Sequence, residues 1–363
     1  QGKPLGSKLR IEFRAPNLLL VNGQKRKSLG PEFKLRGSPY LNCWQENSNG
    51  TMRWNAWRGS LHLTVKEQNV EAVNELPADN YLAGVIPSEV PFSFPPETLK
   101  AMAVVARTYA LSHRGRHDGF DVCSEVHCQV YRGLGQEHPK TNQAILDTRG
   151  QFLLYAGQPA NATFHACCGG HGVDVGGAWP TSAAVPYLEG SYDQPAASPK
   201  LDLKDENAFR EWLLAAHPAF CSGAGRFRWQ ESFAWKDLES KLKVALSIEE
   251  LKGLEVVRRD RSGRIQELKI LALPADVVVG GDKVRWITSA GKVGAGGLQS
   301  SMFFLDIVGE GEARVVRLQG GGWGHGVGLC QEGAAGRARA GEGYRQILAH
   351  YYPGAQLTQN GTP

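Results

Sequence analysis

GVIPSEVPFSFPPETLKAMAVVARTYA, residues 84–110, holds the clearest helix signal in the chain and its most informative acid. Pro95 and Pro96 precede Glu97, which marks a helix start, because proline is tolerated in the first turn and an acid complements the helix dipole. Leu99, Met102, Ala103, Ala106, Tyr109 and Ala110 then recur at i, i+3, i+4 and i+7, the pattern of a buried stripe. Lys100 and Arg107, seven residues apart, share a side of this helix next to the stripe and by spacing alone read as solvated cations. Upstream, Glu89 stands between Pro87 and Pro91 in an apolar segment, which reads as a restricted loop before the helix. Partial burial there would raise its pKa, as a general acid near neutral pH requires. On its own the same glutamate also reads as a cap on the following helix.

Moving outward toward the C-terminus, His117, Cys123, His127 and Cys128 are followed by His165, Cys167, Cys168 and His171. The chain has seven cysteines, the other three being Cys43, Cys221 and Cys330. Four of the seven fall between positions 123 and 168, which suggests one local site. Thiolate and imidazole are ligands that zinc prefers. A disulfide from Cys128 or Cys123 to Cys168 and plain buried thiols are the competing readings, and the spacing, which is not that of a standard zinc finger, leaves all three open.

A third constellation is the glycine-rich run 320–334, GGGWGHGVGLCQEGA. Its glycines allow close backbone approach and positive φ. It lacks both the Lys-Ser/Thr of a phosphate loop and a βαβ frame, so nucleotide binding is excluded. His325 is held within this loop, where a structural and a functional role weigh about equally.

The remaining chain expands this into an α+β fold: a mixed sheet-and-helix core, an inserted α/β subdomain and a β-rich N-terminal region. Short β-type runs at 9–13 and 18–21, a turn at Asn22-Gly23 and an alternating run at 61–65 place strands at the N-terminus. A helix is expected over 140–148, then a pair of strands, 151–155 and 160–165, joined around Gly157. Residues 196–300 read as the insertion, with helices near 206–215 and 237–245 and a hairpin of 254–259 and 264–271 through Ser262-Gly263. A strand at 314–318 leads into the glycine-rich loop and terminal helices. The expected division is therefore 1–60, a core of 61–195 and 301–358, and 196–300.

Length and composition agree with about two domains: 363 residues, 42% hydrophobic and 21% charged. The net charge of +5 would suit an anionic polymer but lacks the clustered basicity of a nucleic-acid binder. No apolar stretch reaches the roughly 18 residues needed to span a membrane. The chain opens at Gln1, which reads as the mature form of an exported protein, periplasmic or extracellular and associated with the cell wall.

Taken together, these motifs resemble the SpoIID/LytB family of stage II sporulation protein D and the amidase enhancers. The resemblance runs through 82–89, 97–110, 127–133, 148–150, 164–171, 322–334 and 347–354, in order, and covers roughly 60–195 and 300–357. It implies cleavage of peptidoglycan glycan strands by a lytic transglycosylase, on strands stripped of stem peptides, with Glu89 as the catalytic acid. It implies a cleft lined by Arg107, Tyr109, Gln129, Tyr131, His165, His325 and Gln331. By their chemistry, Lys100 and Arg107 could hold a lactyl carboxylate, and Trp323 and the tyrosines could stack on sugars. The family includes zinc-bearing members, which singles out His117, Cys123 and Cys128, with Cys168 a further partner. A zinc held there would be structural, and no cofactor is expected for the chemistry. The enhancer branch supplies the rival reading, a non-catalytic glycan binder that assists a cell-wall amidase. A third reading is a zinc hydrolase using His165 or His325 with the cysteines. Two departures from the family pattern stand out. Cys167 occupies a position where a small hydroxyl residue is more usual, and Cys330 adds a thiol beside Gln331.

Overall fold

A computed structural model describes residues 10–14, 17–22, 25–36, 41–46, 52–67, 69–194, 201–216, 218–289 and 297–358. Helices and sheets occur in comparable amounts, as an α+β fold requires. The N-terminal region is made of β-hairpins: Arg10–Arg14 pairs with Asn17–Asn22, and Leu41–Glu46 pairs with Met52–Trp57. Residue 9, expected in the first strand, and residue 23, expected in the turn after the second, lie outside the described residues. The sheet Glu32–Arg36, Ser60–Lys66 and Asn69–Glu75 pairs Phe33 with Leu63 and His62 with Val73, so the β-rich region continues past residue 60. Arg58 clamps it to the rest of the fold with a bidentate pair to Glu137, at 2.6 and 2.7 Å.

Two helices follow. The first, α1, is Ala78–Glu89, and the second, α2, is Pro96–Ser112. The segment around Glu89 is thus the last turn of a helix, where the sequence suggested a loop. Pro87 removes one i→i−4 bond, but so close to the helix end the turn persists, and the Ser88 hydroxyl donates to the Gly84 carbonyl at 2.7 Å. The helix α2 begins at the expected proline pair. It buries far more than one stripe: Thr98, Leu99 and every residue from Ala101 to Tyr109 are buried. Small alanine and valine side chains let α1, the helix α3 (Pro139–Asp147) and the terminal helices Gln331–Arg339 and Tyr344–Tyr351 close around it. A helix that is apolar all round belongs in a core.

Arg107 corrects the reading of a solvated or substrate-facing cation. Its guanidinium donates to the carbonyls of Thr148 (3.0 Å) and Gln151 (2.9 Å) and to Asp79 (3.1 Å), and it is 4% exposed. It therefore braces α2 against α1 and the end of α3, and it has no surface for a sugar carboxylate.

Strand Leu153–Tyr155 pairs with Gln158–Pro159 around Gly157 and with Gln356–Leu357. Phe164–His165, expected as the partner in that hairpin, runs parallel to Leu329–Cys330 instead. This pairing brings the CysCys turn at 167–168 against the glycine-rich loop, with Cys167 N to Trp323 O at 3.0 Å. In the region read as an insertion, helices Glu206–Leu214 and Trp235–Leu246 and the hairpin Glu250–Arg259/Ile265–Leu273 form as expected. Its strand Arg228–Ala234 pairs with Val315–Gly321, which also pairs with Phe303–Val308, so strands beyond residue 300 complete its sheet. A second hydrophobic core, including Leu242, Ile265, Leu268, Ile270, Phe303 and Val316, lies under this sheet.

Candidate functional site

The end of α1 delivers Glu89 to a half-buried position. The backbone N–H of Val130 donates to Glu89 Oε1 at 2.6 Å. Burial pushes the carboxyl up to about 7, although the Val130 N–H, the Arg132 charge and the Gln331 side chain all favour the ionised form. Loss of hydration outweighs those three. A carboxyl near 7 is available both to give and to take a proton at neutral pH.

A row of rings leads to this point. Tyr131 packs on Trp57 (5.4 Å between centroids) and on Tyr81 (5.1 Å), and its hydroxyl donates to Asn74 at 2.7 Å. Gly84 makes the packing possible, since a Cβ there would stand 2.5 Å from the Tyr131 ring. The Tyr81 hydroxyl donates to Gln129 Oε1 at 3.2 Å, and Gln129 Nε2 donates to the Ala106 carbonyl.

Arg132 is the cation beside Glu89, and sequence reasoning did not single it out. It forks onto Glu125 (3.1 and 2.9 Å) and the Ser124 carbonyl (2.8 Å), which ties the 123–132 loop together. The signal was present, since Arg132 stands in the motif at 127–133, but a sequence does not show which side chain of a loop turns back toward an acid.

Of the residues expected to line the cleft, Gln331 is the one the structure brings to Glu89. Gln129 and Tyr131 form the packing behind it. Tyr109 is buried, stacks on His113 at 3.9 Å and accepts from Arg116 at 3.1 Å. Lys100 pairs with Glu97 (2.9 Å) and Asp147 (3.5 Å), not with anything at Glu89. His325 is engaged at both nitrogens: Nε2 lies 2.8 Å from the Phe164 carbonyl and Nδ1 accepts from Val327 N at 3.1 Å. Burial holds its pKa well below the usual value, so it is a neutral strut of the glycine-rich loop. His165 is buried, with Nδ1 3.2 Å from the Val327 carbonyl. The Trp323 ring is covered by the Arg226 guanidinium.

The cysteines separate into two groups. His117, Cys123, His127 and Cys128 place one donor atom each within 4.8 Å of one another. His117 Nε2 lies 3.2 Å from Cys128 Sγ, and His127 Nδ1 lies 3.4 Å from Cys128 Sγ and 3.8 Å from Cys123 Sγ. A tetrahedron with zinc bonds of about 2.0–2.3 Å has edges of about 3.3–3.8 Å, so these donors fit zinc. Two thiolates and two imidazoles would close the coordination sphere of such an ion, which is the structural kind of site. His127 takes the place expected for Cys168. Cys168 instead joins Asp193, Cys221 and Cys330, because the parallel pairing of Phe164–His165 with Leu329–Cys330 carries it away from the 117–128 loop. The disulfide from Cys123 or Cys128 to Cys168 is excluded by the same separation; all three thiols are free. Neither His165 nor His325 belongs to either donor group among the described residues.

Residues 66–155, which contain Glu89 and the Cys/His group, match the family model described as stage II sporulation protein, SpoIID. Residues 175–328 match a domain of unknown function. An uncharacterized protein of Brachyspira hyodysenteriae is 29% identical over 303 residues, covering 82% of this chain and 71% of its own length. The amidase enhancer of Bacillus subtilis is 29% identical over 292 residues, or 76% of this chain, and the match spans 40% of that protein. Stage II sporulation protein D of Bacillus amyloliquefaciens is 26% identical over 318 residues, 82% of this chain and 79% of its own.

Proposed function

We propose that this chain, which matches the stage II sporulation protein model over residues 66–155 and is similar to stage II sporulation protein D, is a lytic transglycosylase of peptidoglycan glycan strands with Glu89 as its single acid and base. The observation that carries this reading is the half-buried Glu89 carboxyl held by the Val130 N–H at 2.6 Å, with burial pushing it up to about 7. The groups that act on its charge are an amide, a cation and a glutamine side chain. An ordinary glycosidase needs two carboxyl groups flanking the bond. A single acid suffices if the substrate supplies its own nucleophile. Protonated Glu89 donates to the oxygen linking N-acetylmuramic acid to N-acetylglucosamine. The resulting carboxylate accepts the proton of the muramic acid C6 hydroxyl, whose oxygen closes a 1,6-anhydro ring. No water is consumed, and Glu89 ends protonated for the next turnover. Strands stripped of stem peptides are the proposed substrate, outside the cytoplasm.

The pH profile tests the acid role. Activity needs the protonated carboxyl, so the rate falls as pH rises through about 7. Arg132 favours the ionised form, so Arg132→Ala raises the Glu89 pKa further and moves this limb to higher pH. A limb that stays in place in Arg132→Ala would contradict the assignment of that limb to Glu89.

Zinc, which the His117, Cys123, His127 and Cys128 donors suit, would contribute structure to this chemistry. It would hold the loop that presents the Val130 N–H and Arg132 to Glu89. Removing it by chelation, or Cys128→Ser, is expected to lower strand cleavage by about 10²-fold, the scale of a misplacement near 1 Å. The pH limb near 7 would persist in the residual activity. Loss of that limb would indicate a metal role in the proton transfer itself.

A second reading has one specific support, the similarity to an amidase enhancer. In it the ring row beside Glu89 binds glycan while a separate cell-wall amidase cuts, and Glu89→Gln leaves the enhancement intact.

A further inference from the structure

Cys168, Cys221, Cys330 and Asp193 come from four separate parts of the chain and meet in the core, each 1% exposed or less. Their donor atoms lie within 4.8 Å of one another. Cys168 Sγ is 3.5 Å from Cys221 Sγ and 3.9 Å from Asp193 Oδ2. Those separations match the edges of a zinc tetrahedron made of sulfur and oxygen ligands.

The sulfurs differ: hydrogen bonds from neighbouring thiols hold Cys168 toward the thiolate, whereas the same sulfur neighbours push Cys221 up and burial pushes Cys330 up. Cys330 caps the helix Gln331–Arg339, and its sulfur accepts from the backbone N–H groups of Gly333 and Cys168, both at 3.2 Å. Cys168 Sγ accepts from Gly170 N at 3.4 Å. Amide donors and a helix N-terminus both stabilise the anion.

Two guanidinium groups flank the cluster: Arg264 is fully buried with the Asp260 carboxylate as its strongest favourable charge, and Arg228 is half-buried with no carboxylate acting on it. Arg264, fully buried, donates to the carbonyls of His171 (2.8 Å) and Cys168 (3.0 Å) and to the Ser262 hydroxyl. Arg228 donates to the carbonyls of Leu213, Gly169 and Phe227. A cation taken out of water is stabilised by an anionic centre close by, and the groups that would act so on Arg228 include the Cys221 and Cys168 sulfurs. A site of three thiolates and one carboxylate around a divalent ion is such a centre, whereas a disulfide is neutral. The Asp193 carboxylate is itself held in place, with Oδ1 accepting from Arg337 at 2.8 and 3.0 Å and Oδ2 from the Tyr351 hydroxyl at 2.8 Å. Carboxylate ligands are characteristically oriented in this way. A cavity of about 10 Å³, about the space of one water, adjoins Cys168, Asp193 and Cys330 but is not lined by Cys221.

We propose that Cys168, Cys221, Cys330 and Asp193 form a second, closed zinc site that fastens the 166–172 turn, the 219–227 segment and the helix Gln331–Arg339 together. Binding is ligand exchange only: the three thiols release their protons to solvent as the sulfur–zinc bonds form, and nothing is oxidised.

The test is zinc content and cobalt substitution on the whole chain and on Cys128→Ser, which disables the Cys/His site and leaves this cluster intact. The wild type is expected to carry one zinc more than Cys128→Ser. Cobalt-loaded Cys128→Ser is expected to keep intense thiolate-to-cobalt absorption, which Cys330→Ser introduced on top weakens. Wild-type protein is measured alongside by native mass spectrometry, so a variant that fails to fold does not decide the outcome. A wild-type mass with a single zinc, or a Cys168–Cys221 disulfide in the unreduced chain, would overturn the proposal.

Discussion

Glu89→Gln is expected to lower the turnover of glycan strands by about 10²–10⁴-fold, the usual contribution of a positioned acid or base. The amide keeps an oxygen that can accept from Val130 N and nearly the same volume, so the end of α1 is preserved. It has no acidic proton to give and no carboxylate to take one back. The folded protein should not suffer. A carboxyl raised by burial contributes its stability in full below the ordinary glutamate pKa of 4.5, and that contribution is lost as pH rises through about 7. Glutamine is neutral throughout, so the variant should match wild type in acid and exceed it in stability above pH 7. Circular dichroism melts at two pH values would show this, beside the rate measurement. A variant equally inactive but unfolded would say nothing of catalysis, and the melts separate the two.

Arg107→Ala carries the second large effect, on stability. Its loss strips hydrogen bonds from the Thr148 and Gln151 carbonyls and leaves Asp79 without a buried partner. An orphaned buried acceptor costs about 1–3 kcal/mol, and breaking a buried ion pair costs about 3–5 kcal/mol. Asp79 is partly exposed, so its share falls below the buried-pair figure and the two carbonyls set most of the total, about 2–4 kcal/mol by chemical denaturation. Arg107→Lys should recover part of this, since one ammonium cannot reach the same spread of acceptors. If Arg107→Ala instead unfolds like wild type and loses only substrate affinity, the cleft reading of this arginine is restored.

These two residues also show what could be read in the sequence. The start of α2 was legible because a Pro-Pro-acid signature acts locally. Its burial was not, because periodicity shows one apolar face and cannot show that small residues on the other faces are also covered. Arg107 followed the same logic. Seven residues from Lys100 it reads as one of two surface cations, yet Lys100 does reach the rim acids while Arg107 turns into the junction with α1 and α3. Glu89 was legible as an acid in an apolar setting. Its place in the final helical turn was not, since proline is weighed as a breaker and Pro87 falls where only one hydrogen bond is lost. Val130 and Arg132, which act directly on Glu89, lie 41 and 43 positions away in sequence and become its neighbours only through the loop that the Cys/His group gathers.

The cysteines give the opposite lesson. Four of them cluster in sequence between 123 and 168, which suggested one site. The fold divides them, because Cys168 follows a strand whose parallel partner ends at Cys330, while Cys221 arrives from a stretch that had shown little chemistry. Pairing between residues 162 positions apart leaves no local trace.

The most direct test of the central claim is mass spectrometry of glycan strands, intact and amidase-stripped, after incubation with the wild-type chain and with Glu89→Gln. The one-acid mechanism predicts 1,6-anhydro-muramic ends from the wild type and none from Glu89→Gln, with stripped strands the better substrate. Hydrated reducing ends, or anhydro products that survive Glu89→Gln, would contradict it.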